Sequence, residues 1–522
     1  MKPLYRPAYD YKREFDRTPE ELAYPFEGDF SFDLSNLTHS ACFRRLQGKT
    51  QLFPEMENDY FRNRLTHSVE VADIATKIAK KLNHEHPYFK ENGININLVR
   101  FAGLAHDLGH PPFGHVGERA LNKALIAFRK DELNKEKYNT GLRYEGNAQT
   151  LRILTKLEKK FVNIAPEGPN RSFPLFAQNE GILEKKDYRI GLNLTYRSLA
   201  SIIKYDNELM DDNVNSKKGY YKTEKSLVDR IKLNTTGKSA AFLKKNKIKF
   251  KTIECSIMDV ADDISYTAYD LEDAFKGRFV NMLDFLHNTD DVLLKKIITE
   301  FNHSLEKANN ENLYQLPFKL YSLDESGIKD FQYVLSYPFI ILGWINNPPI
   351  PKKDIYKRNN KTHLTEIGRF NVSRELYILS QKLIKNGYFR SYFISQLIKY
   401  FIDSIEVEIN ETIPPLSSVH LNEPAYMVLE AFKQFIFVSQ TKSARLQIVD
   451  YRGEEIVTLI FQTLIKNPQL LPRDFRTMHE NSSEIDKPRV IADYISTMTN
   501  RYAIEFYSRL KSENHQSIFK PF

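Results

Sequence analysis

Cysteine is nearly absent: Cys42 and Cys255 are the only two in 522 residues. Two thiols cannot make a disulfide framework or a thiolate metal site, and a reducing cytoplasm is the simplest setting for such a chain. Long apolar runs are missing as well. None approaches the roughly 18 residues that a membrane-crossing helix requires. The opening segment MKPLYRPAYDYKREFDR has no apolar stretch of the kind a secretory signal carries. Strand-like alternation is scarce, with 248–253 and 338–343 the weak candidates, and no internal repeat is visible. Neither sign of charge dominates: 75 basic and 67 acidic residues leave a net +8. Spread over this length, that excess favours a polyanionic partner only mildly, although KKLNHEH, KSAAFLKKNKIKFK and KKLIKNGY are local basic clusters.

What is present points to a folded, helical protein. Hydrophobic residues make up 41% and charged residues 27%, ordinary values for a globular chain long enough for one large or several smaller domains. From Leu65 to Leu82 apolar residues recur at three- and four-residue steps. The pattern resumes from Ile96 to Gly109, with Asn97 as the expected N-cap, and Gly109, Pro111 and Pro112 stop it. A third helix is expected over 254–274, with Ile257, Ala261, Ile264, Ala268 and Leu271 as its core stripe. Others are expected over 117–130, 145–160, 194–205, 375–405, 424–438, 445–466 and 488–510. The lysine-rich stretch 206–250 has few apolar anchors and reads as a polar excursion or lid. A second polar, proline-bearing stretch covers 346–365. The fold class is mainly α.

One short stretch concentrates coordinating chemistry. LAHDLGHPPFGH, residues 104–115, holds three of the thirteen histidines beside an aspartate. His106 follows Val99 and Ala102 on the inward face of its helix, and His67 shares a face with Val71, Ile74 and Ile78. A lone inward histidine is usually a hydrogen-bonded core residue. The adjacent Asp107 changes the balance, because an unpaired buried carboxylate is costly. Neighbouring helical side chains point about 100° apart, so two at a helix end can converge on one ion. IMDVADDISYTAYDLEDAF supplies further carboxylates: Asp262, Tyr266 and Asp270 lie four residues apart on one face. Asp262 borders the buried side, whereas Asp273 reads as part of an exposed acidic face. Two histidines and two aspartates suit Mn, Fe, Co, Ni, Zn or Mg, and ligand softness does not choose among them.

His67, His106–Asp107 and Asp262 form an H…HD…D series, the signature of HD-domain metal phosphohydrolases. The flanking words RRLQGKTQLFP, RNRLTHSVEVA, HDLGHPPFGHVGE, YEGNAQTLRIL, LNLTYRSLASIIKY and ADDISYTAYDLED resemble the bacterial deoxyguanosine triphosphate triphosphohydrolases. The match spans about 40–280. It implies an N-terminal segment (1–39), an HD catalytic core (40–280) and a helical C-terminal region (281–522) that completes the nucleotide site and the oligomer contacts.

The resemblance implies hydrolysis of dGTP, or of other dNTPs, at the α-phosphorus to give a deoxynucleoside and inorganic triphosphate. It also implies one divalent cofactor, Mn or Mg first, with Fe, Co, Ni or Zn as alternatives. His67, His106, Asp107 and Asp262 match the metal ligands, and His115 and Glu118 the catalytic pair. His115 lies beyond the Pro-Pro break and so approaches from another direction, with Glu118 one helical step on. Arg64 matches a phosphate-contacting arginine, and Lys217 a lysine before a Gly-Tyr turn, although many members have proline where this chain has Lys218. Tyr266 and Asp270 match deoxyribose contacts, Gln47 a 3′-hydroxyl contact, and Asn147 a further active-site position. Some relatives carry histidine where this chain has Gly146. His110 is expected to make a supporting hydrogen bond. The family further implies a homo-oligomer, a hexamer or tetramer, with single-stranded DNA as an additional partner and no membrane. Two other readings share parts of these features: an HD phosphohydrolase of another nucleotide or a nucleic-acid end, and a basic single-stranded nucleic-acid-binding protein with a vestigial site.

Overall fold

The structure is a computed structural model. It describes residues 2–15, 28–51, 62–130, 142–159, 190–209, 218–277, 291–310, 314, 318–341, 355–358, 361–364, 377–441 and 444–511. Along the chain the principal helices are α1 (Asp29–Thr38), α2 (Arg64–Glu85), α3 (Ile96–Ala105), α4 (Gly114–Lys130), α5 (Gly146–Arg152), α6 (Lys225–Thr236), α7 (Ile253–Lys276), α8 (Asp291–Asn310), α9 (Glu325–Ile341), α10 (Gly387–Asp403), α11 (Glu423–Thr441), α12 (Ala444–Lys466), α13 (Lys487–Ser496) and α14 (Asn500–Lys511). Strands among the described residues are short and form two two-stranded ribbons, Ile355–Arg358 with Lys361–Leu364 and Ile405–Glu408 with Ser418–Leu421. The protein is mainly α. No helix among the described residues is long and apolar enough to cross a membrane.

The chain divides into two compact units. The first comprises Met1–Ala261, Val407–Val419 and Ile448–Phe522; the second comprises Asp262–Glu406 and His420–Gln447. In the first, α2 starts with a capping box, in which the Asn63 side chain accepts from Thr66 N while the Thr66 hydroxyl accepts from Asn63 N. Its inward face buries His67, Val71, Ile74, Ile78 and Leu82, as the three- and four-residue spacing requires. Helix α3 packs along α2. The cap of α3 is Asn95, whose side chain accepts from Leu98 N, and not Asn97. Both asparagines precede the apolar run; Asn95 sits one residue before the first helical position, where a cap must stand.

The stretch 206–250 is not an excursion where it is described. Tyr220, Val228, Ile231, Leu243 and Phe250 join the main core with Phe101, Leu151 and Leu199. Helix α6 buries a narrow edge, Val228 and Ile231 with Lys232, Thr235 and Thr236, which a low average hydrophobicity hides. Neither weak strand candidate forms a strand. Residues 248–252 connect to α7 without regular structure, and 338–341 close α9; 342–343 lie outside the described residues. Expected helix 375–405 is two helices, 377–385 and α10, divided by the Asn386 cap. Expected helix 488–510 breaks at 497–499. A second core in the same unit packs α4 against α12, α13 and α14 through Leu121, Leu125, Val457, Ile460, Ile495 and Phe506.

In the second unit α11 packs on both α8 and α9. The aromatic rings of Phe301 and Phe331 meet there, with centroids 5.2 Å apart. Helix α7 crosses from the first unit into the second at Ala261–Asp262. Ile257, Ala261, Ile264, Ala268 and Leu271 are all fully buried, as its stripe predicts.

Candidate metal centre

Three side chains from two helical segments converge in the first unit. One ligand atom from each of His67, His106 and Asp107 lies within 4.8 Å of the others, and all three residues are buried. His67 comes from the inward face of α2. His106 terminates α3 and Asp107 follows in the turn, so the two adjacent side chains at a helix end do reach one point. His106 Nδ1 donates to the Gly103 carbonyl at 2.7 Å, which places the proton on Nδ1 and leaves Nε2 as the lone-pair nitrogen. That nitrogen stands 3.5 Å from Asp107 Oδ1.

The surroundings of Asp107 keep it ionised. Burial by itself would raise its pKa, but His110, Arg64 and His106 hold the carboxyl well below the usual carboxylate range. Arg64 Nη1 pairs with Oδ2, and His110 Nδ1 lies 3.1 Å from Oδ1. Arg64 is therefore buried against the candidate ligand and is no surface charge. Burial followed by the Arg64 charge lowers the pKa of His110. A negative, buried carboxylate beside two imidazoles is a donor set that fits a divalent cation.

The turn that carries this chemistry is held from several directions. Gly109 N donates to Thr150 Oγ1 (2.9 Å), and Tyr144 Oη donates to Gly109 O (2.7 Å). A Cβ at Gly109 would lie 2.0 Å from Gly146 O, so only glycine permits the turn to rest on α5. Lys49 is buried and donates to His110 O (2.6 Å) and to Ser496 O (2.9 Å). Burial, then the nearby Arg64 and Arg45 charges, bring its pKa down to about 7. After Pro112, Phe113 and Gly114 both adopt positive φ, +64° and +58°, which swings the chain into α4. A Cβ on Gly114 would meet Arg64 Nη2 at 2.9 Å.

That swing presents His115 and Glu118. His115 is exposed and its Nδ1 donates to Glu118 Oε2 at 3.2 Å; Glu118 Oε1 accepts from Gly146 N at 2.8 Å. Burial opposes ionisation of Glu118, but the His115 bond and the His110 charge outweigh it and bring its pKa down to about 2. Asn147 is close by in sequence, donating to Glu145 Oε1 at 2.6 Å. Glu145 caps α5 through Ala148 N, and burial and Glu118 raise its pKa.

Behind α5 lies a buried polar network that the sequence reading did not anticipate. Arg152 donates through Nε to both Asp493 oxygens (2.9 Å each), through Nη2 to Oδ2 (2.7 Å) and through Nη1 to Glu224 Oε1 (3.0 Å). Gln149 Nε2 donates to Asp493 Oδ1 and Ser496 Oγ, and Tyr221 Oη donates to Gln149 Oε1. YEGNAQTLRIL contains Gln149 and Arg152, but their partners lie 72 to 347 residues away. The one local signal was a run of polar residues inside an otherwise apolar helix.

The remaining expected site residues divide as follows. Gln47 is exposed and lines a hollow with Arg44, Arg45, Gly48 and Thr499, none of them a candidate ligand. Lys217 lies outside the described residues; its neighbour Lys218 is exposed and contacts Tyr205 Oη at 3.3 Å. Asp262, Tyr266 and Asp270 belong to the second unit, at successive turns of α7. Burial and the Asp270 carboxylate raise the Tyr266 hydroxyl, with Lys433 opposing. Asp270 is buried. Asp273, expected on an exposed face, is also buried at 2% exposure, although Asp263 on the same helix keeps 39% of its side chain exposed.

Residues 64–157 match the HD domain family, and residues 419–509 match the phosphohydrolase-associated domain family. The chain is similar over nearly its whole length to curated proteins. A deoxyguanosinetriphosphate triphosphohydrolase-like protein 2 of Mesorhizobium japonicum is 36% identical, the alignment covering 98% of this chain and 99% of the relative. A deoxyguanosinetriphosphate triphosphohydrolase-like protein of Rickettsia bellii is 28% identical, covering 98% and 99%, and one of Histophilus somni is 28% identical, covering 92% and 94%.

Proposed function

From its membership of the deoxyguanosinetriphosphate triphosphohydrolase-like family of HD-domain phosphohydrolases, we propose that this chain hydrolyses dGTP, or other dNTPs, to a deoxynucleoside and inorganic triphosphate. The observation that carries the reading is the convergence of His67, His106 and Asp107, with the His115–Glu118 pair just beyond the same turn.

His67, His106 and Asp107, joined in this reading by Asp262, would hold one divalent ion, Mn or Mg first. Such an ion supplies Lewis-acid polarisation of a phosphoryl oxygen and offsets charge that develops there. The chain's own groups do the rest. His115 exposes its ring to solvent while Glu118 holds Nδ1, so Nε2 is the atom that exchanges a proton with the reacting oxygens. Glu118 stays ionised at neutral pH and favours the imidazolium once His115 has taken a proton. Arg64, paired with Asp107, is the guanidinium that would meet a substrate phosphate in this reading. Lys217 is a second cation in this reading. Tyr266 and Asp270 are the sugar contacts, the ring excluding a 2′-hydroxyl, while Gln47 and Asn147 complete the polar lining.

Product analysis tests this. Incubation of the metal-loaded protein with each dNTP and with GTP should release triphosphate from dNTPs and leave GTP intact. Release of pyrophosphate or of single phosphate would refute cleavage at the α-phosphorus.

A further inference from the structure

A second trio of ligand-type side chains stands next to the first. One ligand atom from each of His110, His115 and Glu118 lies within 4.8 Å of the other two. We propose that these three residues form a second cation site, selective for zinc or a similarly borderline metal.

Two imidazoles and one carboxylate are a donor set that zinc accepts, with a fourth position left for water. The three ligands are already oriented. His110 turns Nδ1 toward Asp107 Oδ1, 3.1 Å away, so with the proton on Nδ1 its Nε2 lone pair faces the other side. Glu118 is fixed through Oε1 by the Gly146 amide, which leaves Oε2 on the His115 side. His115 and Glu118 are one helical step apart on α4, and the His110 carbonyl is anchored by Lys49. The rings of His110 and His115 are 5.0 Å apart, tilted 75°.

Space and access fit as well. A Cβ on residue 146 would lie 3.4 Å from Glu118 Oε1 and 3.6 Å from His110 Nε2. Glycine at this position therefore leaves uncovered the face that both ligands share, and a larger side chain would stand on it. The His115 side chain is 69% exposed, so an ion can arrive from solvent without opening the core. Binding displaces the proton that His115 shares with Glu118, so uptake releases a proton wherever His115 is protonated. On the function proposed above, a filled site would break the His115–Glu118 pair on which proton exchange depends, and excess zinc would inhibit.

The test reads binding without substrate, so it stands whether or not dGTP is hydrolysed. Full-length protein is stripped with chelator and titrated with Zn²⁺ against a chromophoric competitor. The parent should bind two equivalents. His110→Asn and His115→Asn should each weaken one equivalent by more than about 100-fold, since even residues that only support a ligand change affinity by about 10–100-fold. His106→Asn should weaken the other equivalent. Thermal unfolding in EDTA checks that each variant is folded. Cobalt titration of the unmodified protein, followed by visible absorption, provides a second count that needs no variant. One equivalent in the parent by both metals, or a second equivalent unaffected by His110→Asn and His115→Asn, would overturn the site.

Discussion

The Arg152–Asp493 pair offers a quantitative check on how α5 is held. The guanidinium makes three bonds to Asp493 and one to Glu224, and the three side chains are 2%, 0% and 5% exposed. Charge-assisted bonds each contribute about 1.5–3 kcal/mol net. The larger quantity is the charge that remains when one partner is removed. Asp493→Leu leaves a buried guanidinium with Glu224 alone, and Arg152→Met leaves two buried carboxylates facing each other. Either should destabilise by about 3–5 kcal/mol. In the double variant no charge is orphaned except that of Glu224, which still accepts from Thr223 Oγ1 at 2.7 Å. The double variant should therefore lose at least about 2 kcal/mol less than the sum of the singles. Urea unfolding followed by circular dichroism measures the cycle. Hydrogen exchange adds a local readout, because loosening α5 should speed exchange at the amides of 148–152. Additivity within about 0.5 kcal/mol, with exchange unchanged in both singles, would show that the pair does not anchor α5.

Three further outcomes follow from named contacts. Lys49 is depressed to about 7 in the folded chain, against about 10.4 unfolded, so between those values the unfolded state binds the additional proton. Stability should therefore rise with pH across that window, by at most about 1.4 kcal/mol per unit, and Lys49→Met should remove this slope; equal slopes in parent and variant would contradict the assignment. Gly109→Ala should destabilise by several kcal/mol, about 3 or more, because its Cβ would meet Gly146 O at 2.0 Å; a melting temperature within about 2 °C of the parent would disprove the close approach. His115→Ala should lower turnover by about 10²–10⁴-fold while the ion at His67, His106 and Asp107 is retained. Loss of that ion instead would make His115 a structural support of the metal centre.

Much of this was legible from periodicity and spacing. The stripes of α2 and α7 are visible at three- and four-residue steps, and the structure buries them. The HD pair announces itself because a buried aspartate beside a histidine needs a partner. Elements decided by distant partners were not legible. Lys49 reads as one more solvated lysine until Ser496, 447 positions away, closes over it. Arg152 and Asp493 are 341 residues apart and each looks like surface charge alone. Helix α6 hides its few anchors, Val228 and Ile231, among polar and charged residues such as Lys225, Asp229, Arg230 and Asn234. The run 338–341 is rich in residues that suit strand and helix alike, and the rest of α9 decides for helix. Asp273 was assigned to solvent on acidity alone, which cannot register that a neighbouring element covers it.

The central claim is that His67, His106 and Asp107 hold the ion on which phosphoester cleavage depends. Metal content per chain, measured on the same samples of parent, His106→Ala and Asp107→Ala that are assayed for triphosphate release from dGTP, tests it most directly. The account predicts that the parent keeps a tightly held divalent ion and releases triphosphate, and that both variants lose ion and turnover together. Variants that lose the ion yet still release triphosphate at the parent's rate, or that keep ion and rate alike, would contradict it.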